Sequence, residues 1–439
     1  MKNTHPNPSL VRRTLRAGFL AFVICCGAPH ALAETRTWTS ADGARTFDGE
    51  LLAFDPATGS VTVKRTDGQS LTFNQTILSP EDIEFLAAQG VKEAPPVVSA
   101  PTSGGSAPAP SGAVVPAGAG GNGDEPADMS KPVQVFILLG QSNMLGFGKT
   151  HGSDAKTLEN AVKEQGLYPF LVDADGNWRT RKDVRNVFVM ERGGMNIQVN
   201  DWLTITNKNI GPEIGIGHHL GSLYKEPVML LKACIGNRSL GWDLLPPGSE
   251  PYEFNGKMEP GYRGTSDNPK GDGSKPAAGW YAGKQYDDDI GNAKTVLEDL
   301  KNFYPGAKGY EVAGFFWWQG DKDSRNAAHA EFYEKNLVRF IEQLRVDFNA
   351  PNAKFVMATL GQTKKGDGGN GGKLLDAKMA VDGNSGKYPQ FKGNVATVYS
   401  NPLSKGGSSG GHYSGDARTY MNVGLGMGEA MVELLTGKR

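Results

Sequence analysis

The apolar run at residues 133–139 constrains the fold more than any other feature of the sequence. It shows no alternation of polar and apolar residues, which is typical of a strand buried on both faces of a sheet. Residues 140–144, Gly-Gln-Ser-Asn-Met, follow it directly. In an open α/β sheet, ligands and reacting groups lie at the carboxyl ends of the strands. Because Gln and Asn are poor core residues, we expect Ser142 to lie in an exposed cleft.

Apolar strands and helical patterns alternate from residue 130 to the end of the chain. Candidate strands lie at 133–139, 187–190, 228–233, 312–318, 355–360 and 395–399, and helical patterns at about 212–224, 287–303, 326–348, 374–381 and 415–435. Such alternation predicts a mostly parallel sheet with helices on both faces. We therefore expect residues 129–439 to form a three-layer α/β/α domain.

Residues 34–91 have a short β pattern instead. The segments 45–54, 60–65 and 70–73 alternate apolar and polar residues, and turn-forming residues separate them. Residues 79–82, Ser-Pro-Glu-Asp, then predict the start of a short helix, with serine as its cap and proline at its first position. The segment resembles a small all-β SH3-like barrel, and nothing in it identifies a ligand.

The first 33 residues have the three parts of a secretory signal peptide. Four basic residues precede an apolar core at 17–28, and Ala31-Leu32-Ala33 is a small-residue cleavage site. The core is too short to serve as a permanent membrane anchor. We therefore expect an exported protein, periplasmic or extracellular, that is cleaved near Ala33 and has no integral membrane span.

Residues 92–128 are rich in Pro, Ala, Gly and Ser and contain almost no large apolar side chain. A segment of this composition cannot bury enough apolar surface to fold alone. We expect it to be a linker between the small barrel and the α/β domain.

Charge and cysteine content exclude several classes of partner and stabilising bond. The sequence has 46 basic and 47 acidic side chains, and loss of the four basic residues of the signal leaves 42 and 47, a net charge of −5. This balance argues against nucleic acid or an anionic membrane as a partner. Of the three cysteines only Cys234 would remain, so no intramolecular disulfide can form. The histidines show no metal-ligand spacing, and we expect neither a metal nor an organic cofactor.

Four candidate strands are followed by polar residues that could take part in catalysis. Ser142 follows the first strand, Gly236 follows the strand at 228–233, residues 319–323 follow the strand at 312–318, and His412 lies in a loop after the last strand. Because the carboxyl ends of parallel strands meet at one edge of the sheet, these residues should converge there.

Hydrolysis of an ester needs a nucleophile, a base, a group that orients the base, and donors for the oxyanion. Ser142 can supply the hydroxyl and His412 the base, and either Asp321 or Asp323 could hold the imidazole in the productive tautomer. The backbone N–H groups of Ser142 and Gly236, together with the side-chain amide of Gln319, are candidate oxyanion donors.

These blocks are similar to those of the SGNH hydrolases, specifically the branch of sialate O-acetylesterases and acetylxylan esterases. Residues 140–144 resemble the nucleophile block of that branch, and Gly236 lies where the family has its oxyanion glycine. Residues 317–321, Trp-Trp-Gln-Gly-Asp, resemble the Trp-x-Gln-Gly-Glu block, and His412 matches the catalytic histidine. The resemblance covers residues 130–439.

The resemblance implies an exported serine esterase that removes O-acetyl groups from carbohydrates through an acyl-enzyme on Ser142. One position departs from the family: many SGNH enzymes carry an aspartate three residues before the catalytic histidine, and here that residue is Ser409. By analogy with the glutamate of the branch, Asp321 is then the acid, and Asp323 is the alternative. A second interpretation stays open, because the same fold could be a catalytically silent carbohydrate-binding or surface-interaction protein.

Overall fold

The computed structural model describes residues 35–40, 46–55, 60–66, 70–75, 78–88, 121–191, 195–267 and 275–439. The chain divides into two compact units, Met1–Ser103 and Gly104–Arg439. The signal peptide and most of the linker expected from the sequence lie outside the described residues.

The first unit contains an antiparallel sheet of four strands in sequence order, followed by one helix. Its elements are β1 (Thr35–Thr39), β2 (Thr46–Asp55), β3 (Ser60–Arg65), β4 (Ser70–Asn74) and α1 (Pro80–Ala88). Trp38 is fully buried in a small apolar cluster, and Asp82 of α1 accepts a hydrogen bond from the Thr39 N–H at 2.7 Å. In the described part of this unit β1 and β4 are the edge strands, so the SH3-like barrel is not confirmed.

The second unit is a mixed α/β domain. Its strands are β5 (Val133–Gly140), β6 (Gly148–Lys149), β7 (Arg181–Glu191), β8 (Met195–Leu203), β9 (Asn209–Ile210), β10 (Val228–Ala233), β11 (Tyr252–Phe254), β12 (Lys257–Glu259), β13 (Tyr310–Trp318), β14 (Lys354–Ala358) and β15 (Val395–Val398). Its helices are α2 (Ser142–Leu145), α3 (Leu158–Lys163), α4 (Glu213–Leu223), α5 (Lys284–Glu298), α6 (Leu300–Phe303), α7 (Ala327–Asp347), α8 (Gly369–Val381) and α9 (Ala417–Thr436).

Seven of these strands form the central sheet, in the order β15-β14-β13-β5-β10-β7-β8. All neighbours are parallel except β7 and β8. Side chains of β5 alternate between two cores: Val135 and Ile137 pack with α5 and α7, whereas Phe136 and Leu138 pack with α4 and α9. The expected mostly parallel sheet, covered by helices on both faces, is therefore present.

The centre of the sheet places three polar segments side by side. β5 lies between β10 and β13, and Gly140 at its end is in register with Trp318 at the end of β13. The segments that follow these three strands therefore leave the sheet at one edge, next to each other.

β8 was not predicted from the sequence. β7 was expected only at 187–190, whereas the strand spans Arg181–Glu191. β8 lies at the edge of the sheet, antiparallel to β7, and most of its residues are exposed or half-buried. An exposed edge strand needs no apolar run, so the pattern that predicted the central strands is absent there.

Residues 121–128, expected to be the end of the linker, belong to the folded second unit. The Gly123 carbonyl accepts a hydrogen bond from the Lys182 N–H, and the Asp128 N–H donates to the Lys225 carbonyl, both at 2.8 Å. Asp124 forms an ion pair with Arg179. Backbone hydrogen bonds rather than apolar side chains attach this segment, which is why its composition indicated a linker.

We expect a fragment that begins at Gly121 to be more stable than one that begins at Met129. The shorter fragment loses the two backbone hydrogen bonds to Lys182 and Lys225, about 2 kcal/mol in total. It also loses the exposed Asp124–Arg179 ion pair, which adds little. Differential scanning calorimetry should show a Tm lower by about 2–6 °C for the shorter fragment. Equal Tm values would show that residues 121–128 contribute nothing to the stability of the unit.

Candidate active site

Ser142 is the first residue of α2, the single helical turn that follows β5. Gly140 has a φ of 147°, and a Cβ at this position would lie 2.4 Å from the Trp318 carbonyl oxygen. Only glycine therefore lets the chain leave the sheet so close to β13. The Gly146 N–H donates to the Ser142 carbonyl at 3.1 Å and closes the turn. The serine is held at the carboxyl edge of the sheet and is only 9% exposed, and its neighbours Gln141 and Asn143 are buried too. The expectation of an exposed segment, made because Gln and Asn are poor core residues, was therefore wrong.

Gly236, in the segment after β10, lies beside Ser142. A Cβ on Gly236 would lie 3.7 Å from Ser142 Cβ and 3.6 Å from Leu145 Cδ1. The glycine therefore leaves a space open next to the serine. An oxyanion pocket needs such a space within reach of backbone N–H donors.

Asp323 is fully buried and holds the loop that carries Gly236. Its carboxylate accepts hydrogen bonds from the Gly241 N–H at 2.8 Å and the Leu240 N–H at 3.0 Å. Burial raises the pKa of this carboxyl, and the nearby His329 and these donors oppose the rise. Asp323 therefore joins the segment after β13 to the segment after β10.

Gln319 is also fully buried, and its side chain links the same two segments. Its amide nitrogen donates to the Arg238 carbonyl at 2.9 Å and to the Asp323 carboxylate, while its amide oxygen accepts from the Tyr333 hydroxyl at 2.8 Å. These two acceptors engage both N–H bonds of the amide. In this arrangement Gln319 fixes the loop, and it has no N–H left to offer an oxyanion.

The loop that carries His412 has a strained backbone. His412, Tyr413 and Ser414 have φ values of 51°, 51° and 54°, in the left-handed region that non-glycine residues seldom adopt. The buried Tyr413 anchors the loop, because its hydroxyl accepts a hydrogen bond from the Gly361 N–H at 3.1 Å. Strain of this kind is concentrated at functional sites. The His412 ring stacks on Phe147, with ring centroids 4.0 Å apart and an interplanar angle of 5°.

Asp321 lies against the same loop. One carboxylate oxygen accepts a hydrogen bond from the Ser409 hydroxyl at 2.9 Å, and the other forms an ion pair with Arg325. Ser409, three residues before His412, therefore binds the aspartate that was favoured from the sequence as the acid. Asp321 and Asp323 thus occupy different places: Asp321 beside the His412 loop, Asp323 beneath the Gly236 loop.

Charges around His412 act on the imidazole without a direct hydrogen bond. Burial lowers the pKa of His412 below its usual 6.5, the Asp321 carboxylate opposes this change, and the Arg325 guanidinium adds to it. Among Ser142, Asp321 and the His412 ring, all of which are described, the structure shows no hydrogen bond. In catalytic sites without substrate such bonds are often long and form only in the complex.

Three observations concern metal ions, membranes and the free cysteine in the rest of the described chain. Within the described ranges, no group of three or more His, Cys, Asp or Glu side chains is arranged to hold a metal ion. No helix among the same residues is long and apolar enough to cross a membrane. Cys234 is buried and forms no disulfide bond, and burial raises the pKa of its thiol.

Comparison with known proteins points to one family. Residues 269–433 match the family model described as carbohydrate esterase, sialic acid-specific acetylesterase. This segment is shorter than half the chain and includes Asp321 and His412 but not Ser142. The match supports the carbohydrate esterase family, and esterase activity at the family level. No curated protein matches the chain significantly in sequence.

Three solved structures are weakly similar to the chain. A protein from Arabidopsis thaliana is 16% identical with a TM-score of 0.39, and the match covers 69% of this chain and 99% of that one. A carbohydrate acetylesterase from Xanthomonas citri is 14% identical with a TM-score of 0.42, covering 69% and 57%. NanS is 14% identical with a TM-score of 0.38, covering 70% and 99%.

The sequence did not indicate that three residues belong to the site: Ser409, Phe147 and Arg325. Ser409 was noted only as a departure from the family. The hydrogen bond from Ser409 to Asp321 joins residues 88 positions apart, so no local pattern could reveal it. Arg325 lies four residues after Asp321, a spacing that could have suggested an ion pair.

We expect Arg325→Gln to raise the pKa of His412. The Arg325 cation disfavours the protonated imidazole, and its removal also leaves Asp321 free to stabilise that form, so both effects act in the same direction. NMR titration of the His412 ring protons measures the pKa directly. Arg418→Gln is the matched control, because Arg418 pairs with Asp416 instead. An unchanged or lower pKa in Arg325→Gln would contradict the described surroundings of His412.

Proposed function

We propose that this protein is a serine esterase that removes O-acetyl groups from carbohydrates, with Ser142, His412 and Asp321 as its catalytic triad. The observation that carries the proposal is the hydrogen bond from Ser409 to Asp321. This bond holds the Asp321 carboxylate against the His412 loop, at the side chain that stands three residues before His412. The proximity of Gly236 to Ser142 supports the same assignment.

In the proposed mechanism His412 accepts the proton of the Ser142 hydroxyl while the oxygen attacks the acetyl carbonyl carbon. The backbone N–H groups of Ser142 and Gly236 stabilise the oxyanion that forms. His412 then protonates the departing sugar oxygen, and the C–O bond of the ester breaks. Water repeats the sequence on the acetyl-serine and releases acetate. Asp321 holds the far nitrogen of the imidazole protonated and stabilises the imidazolium.

This mechanism requires the His412 ring to move. The His412 ring must leave its position on Phe147 far enough to bond both Ser142 and Asp321. Asp321 can accept this bond while it keeps Ser409 and Arg325, because a carboxylate has about four acceptor positions. Binding of substrate would displace the His412 ring from Phe147, and the ring would then form its bonds with Ser142 and Asp321.

The carbohydrate substrate is proposed from the family match, and export from the signal-like N-terminus. The first test is hydrolysis of p-nitrophenyl acetate and of a panel of O-acetylated pyranosides, including acetylated sialic acid and acetylated xylose, with acetate release as the measurement. Wild-type protein should hydrolyse p-nitrophenyl acetate and at least one acetylated sugar, and Ser142→Ala neither. Equal rates for wild type and Ser142→Ala would exclude Ser142 as the nucleophile.

A catalytically silent carbohydrate-binding protein is the second candidate. One observation favours it: His412 bonds neither Ser142 nor Asp321 in the structure. Binding of the acetylated panel without release of acetate would establish this alternative.

We expect Asp321→Asn to reduce kcat by roughly four orders of magnitude with little loss of binding, because the imidazole tautomer is no longer controlled. Asp323→Asn should instead lower Tm, since an amide cannot accept from all the buried donors around it. Adding Ser409→Asp to Asp321→Asn should restore part of kcat, because an acid returns to the position three residues before His412. A larger kcat loss in Asp323→Asn than in Asp321→Asn would assign the acid to Asp323.

We expect Gly236→Ala to lower kcat by up to roughly 10²-fold with little change in KM, since the oxyanion exists only in the transition state. The added Cβ meets its neighbours at ordinary contact distances, so the fold should remain intact. Gly291→Ala in α5, where a Cβ meets nothing within 4 Å, is the control and should leave kcat unchanged. A change confined to KM would place Gly236 in ground-state binding.

A further inference from the structure

A cavity of about 520 Å³ adjoins the segment that follows Ser142. Leu145, Gly146 and Phe147 form one wall, and residues of β7 and β8, together with residues 207–209, form the others. The volume lies in the range of sites for small molecules. Phe147 also carries the His412 ring on its face, so the cavity and the proposed catalytic base share one aromatic side chain.

The base of the cavity is electrically balanced. Lys232 and Glu213 are both buried, and their side chains form an ion pair at 2.6 Å. Lys232 also donates to the Leu145 carbonyl at 3.0 Å. The pair therefore contributes no net charge to the cavity and also holds the end of the helical turn that begins at Ser142.

Apart from the Lys232–Glu213 pair, the polar lining consists of four neutral amides and the exposed cation of Lys208. Asn186, Gln198, Asn207 and Asn209 line the cavity together with the rings of Phe147 and Phe188. Asn186 is 9% exposed, and its buried Oδ1 has no hydrogen-bond partner. A buried acceptor left without a donor is costly. A hydroxyl group of a ligand in the cavity would supply that donor after a small side-chain rotation.

We infer that this cavity is the subsite for the sugar ring whose acetyl ester is presented to Ser142. Neutral amides beside aromatic faces suit the hydroxyl groups and C–H faces of a pyranose, and the balanced Lys232–Glu213 pair adds no net charge. The exposed Lys208 leaves one positive charge in the lining, which is compatible with an acidic sugar. Asn186 is the specificity-determining residue, because its unused acceptor binds a ring hydroxyl. The inference rests on the proposed esterase function, and it assigns the sugar to the β7–β8 side of the nucleophile.

The test compares two esters in wild-type protein and three variants. Asn186→Leu removes the acceptor, and Val199→Trp fills the cavity from β8. Ile197→Trp lies on the same strand, is half exposed and does not line the cavity, so it is the matched control. The esters are p-nitrophenyl acetate, which needs no sugar site, and the best acetylated pyranoside of the panel.

Asn186→Leu and Val199→Trp should each lower kcat/KM for the acetylated sugar by about tenfold or more, mainly through KM, because the ring contacts exist in both ground and transition states. The kcat/KM of these two variants for p-nitrophenyl acetate should stay within about twofold of wild type. In Ile197→Trp, kcat/KM should stay within about twofold of wild type for both esters. Unchanged sugar kinetics in both cavity variants, with wild type active, would overturn the subsite and leave the esterase proposal intact. Wild-type inactivity toward both esters would overturn the esterase proposal and the subsite with it.

Discussion

The geometry of the site depends on the hydrogen bonds of the buried Asp323 carboxylate. The carboxylate binds two backbone N–H groups of the loop after β10 and the amide of Gln319 after β13. A buried charge held by several donors is difficult to rearrange, because loss of any one leaves it unsatisfied. The segments that leave the sheet on either side of β5 are therefore fixed relative to Ser142. Gly236 lies beside the serine as a consequence of this link.

The opposite side of the site is built differently. The His412 loop keeps three successive residues in the left-handed region, which costs free energy that the anchoring of Tyr413 and nearby packing must offset. Asp321 reaches this loop through Ser409. A rigid side that carries the proposed nucleophile and a strained side that carries the proposed base would suit a reaction in which only the imidazole has to move. The Phe147 ring lines the cavity next to β7 and also stacks on the His412 ring, so this side of the site and the cavity share one side chain.

The sequence predicted the buried framework well and the roles of individual polar residues less well. β10 was predicted to the residue because it is a continuous apolar run, whereas β8 at the edge was missed because its faces are exposed. The sequence also predicted that the segments after β5, β10 and β13 leave the same edge of the sheet, because the carboxyl ends of parallel strands meet there. What the sequence could not resolve was which of two nearby aspartates approaches His412, since both lie in one short segment. Gln319 was expected to donate to an oxyanion, but its amide N–H groups bind Asp323, four residues away, and the Arg238 carbonyl, which is distant in sequence.

The central claim is that Ser142 is an activated nucleophile, and covalent labelling tests it most directly. Wild-type protein would be treated with an organophosphonate ester probe, and the modified residue would be identified by peptide mass spectrometry. We predict stoichiometric labelling at Ser142, strongly slowed labelling in His412→Ala, and none in Ser142→Ala. Absence of labelling in the folded wild-type protein, or labelling of a different residue, would contradict the account.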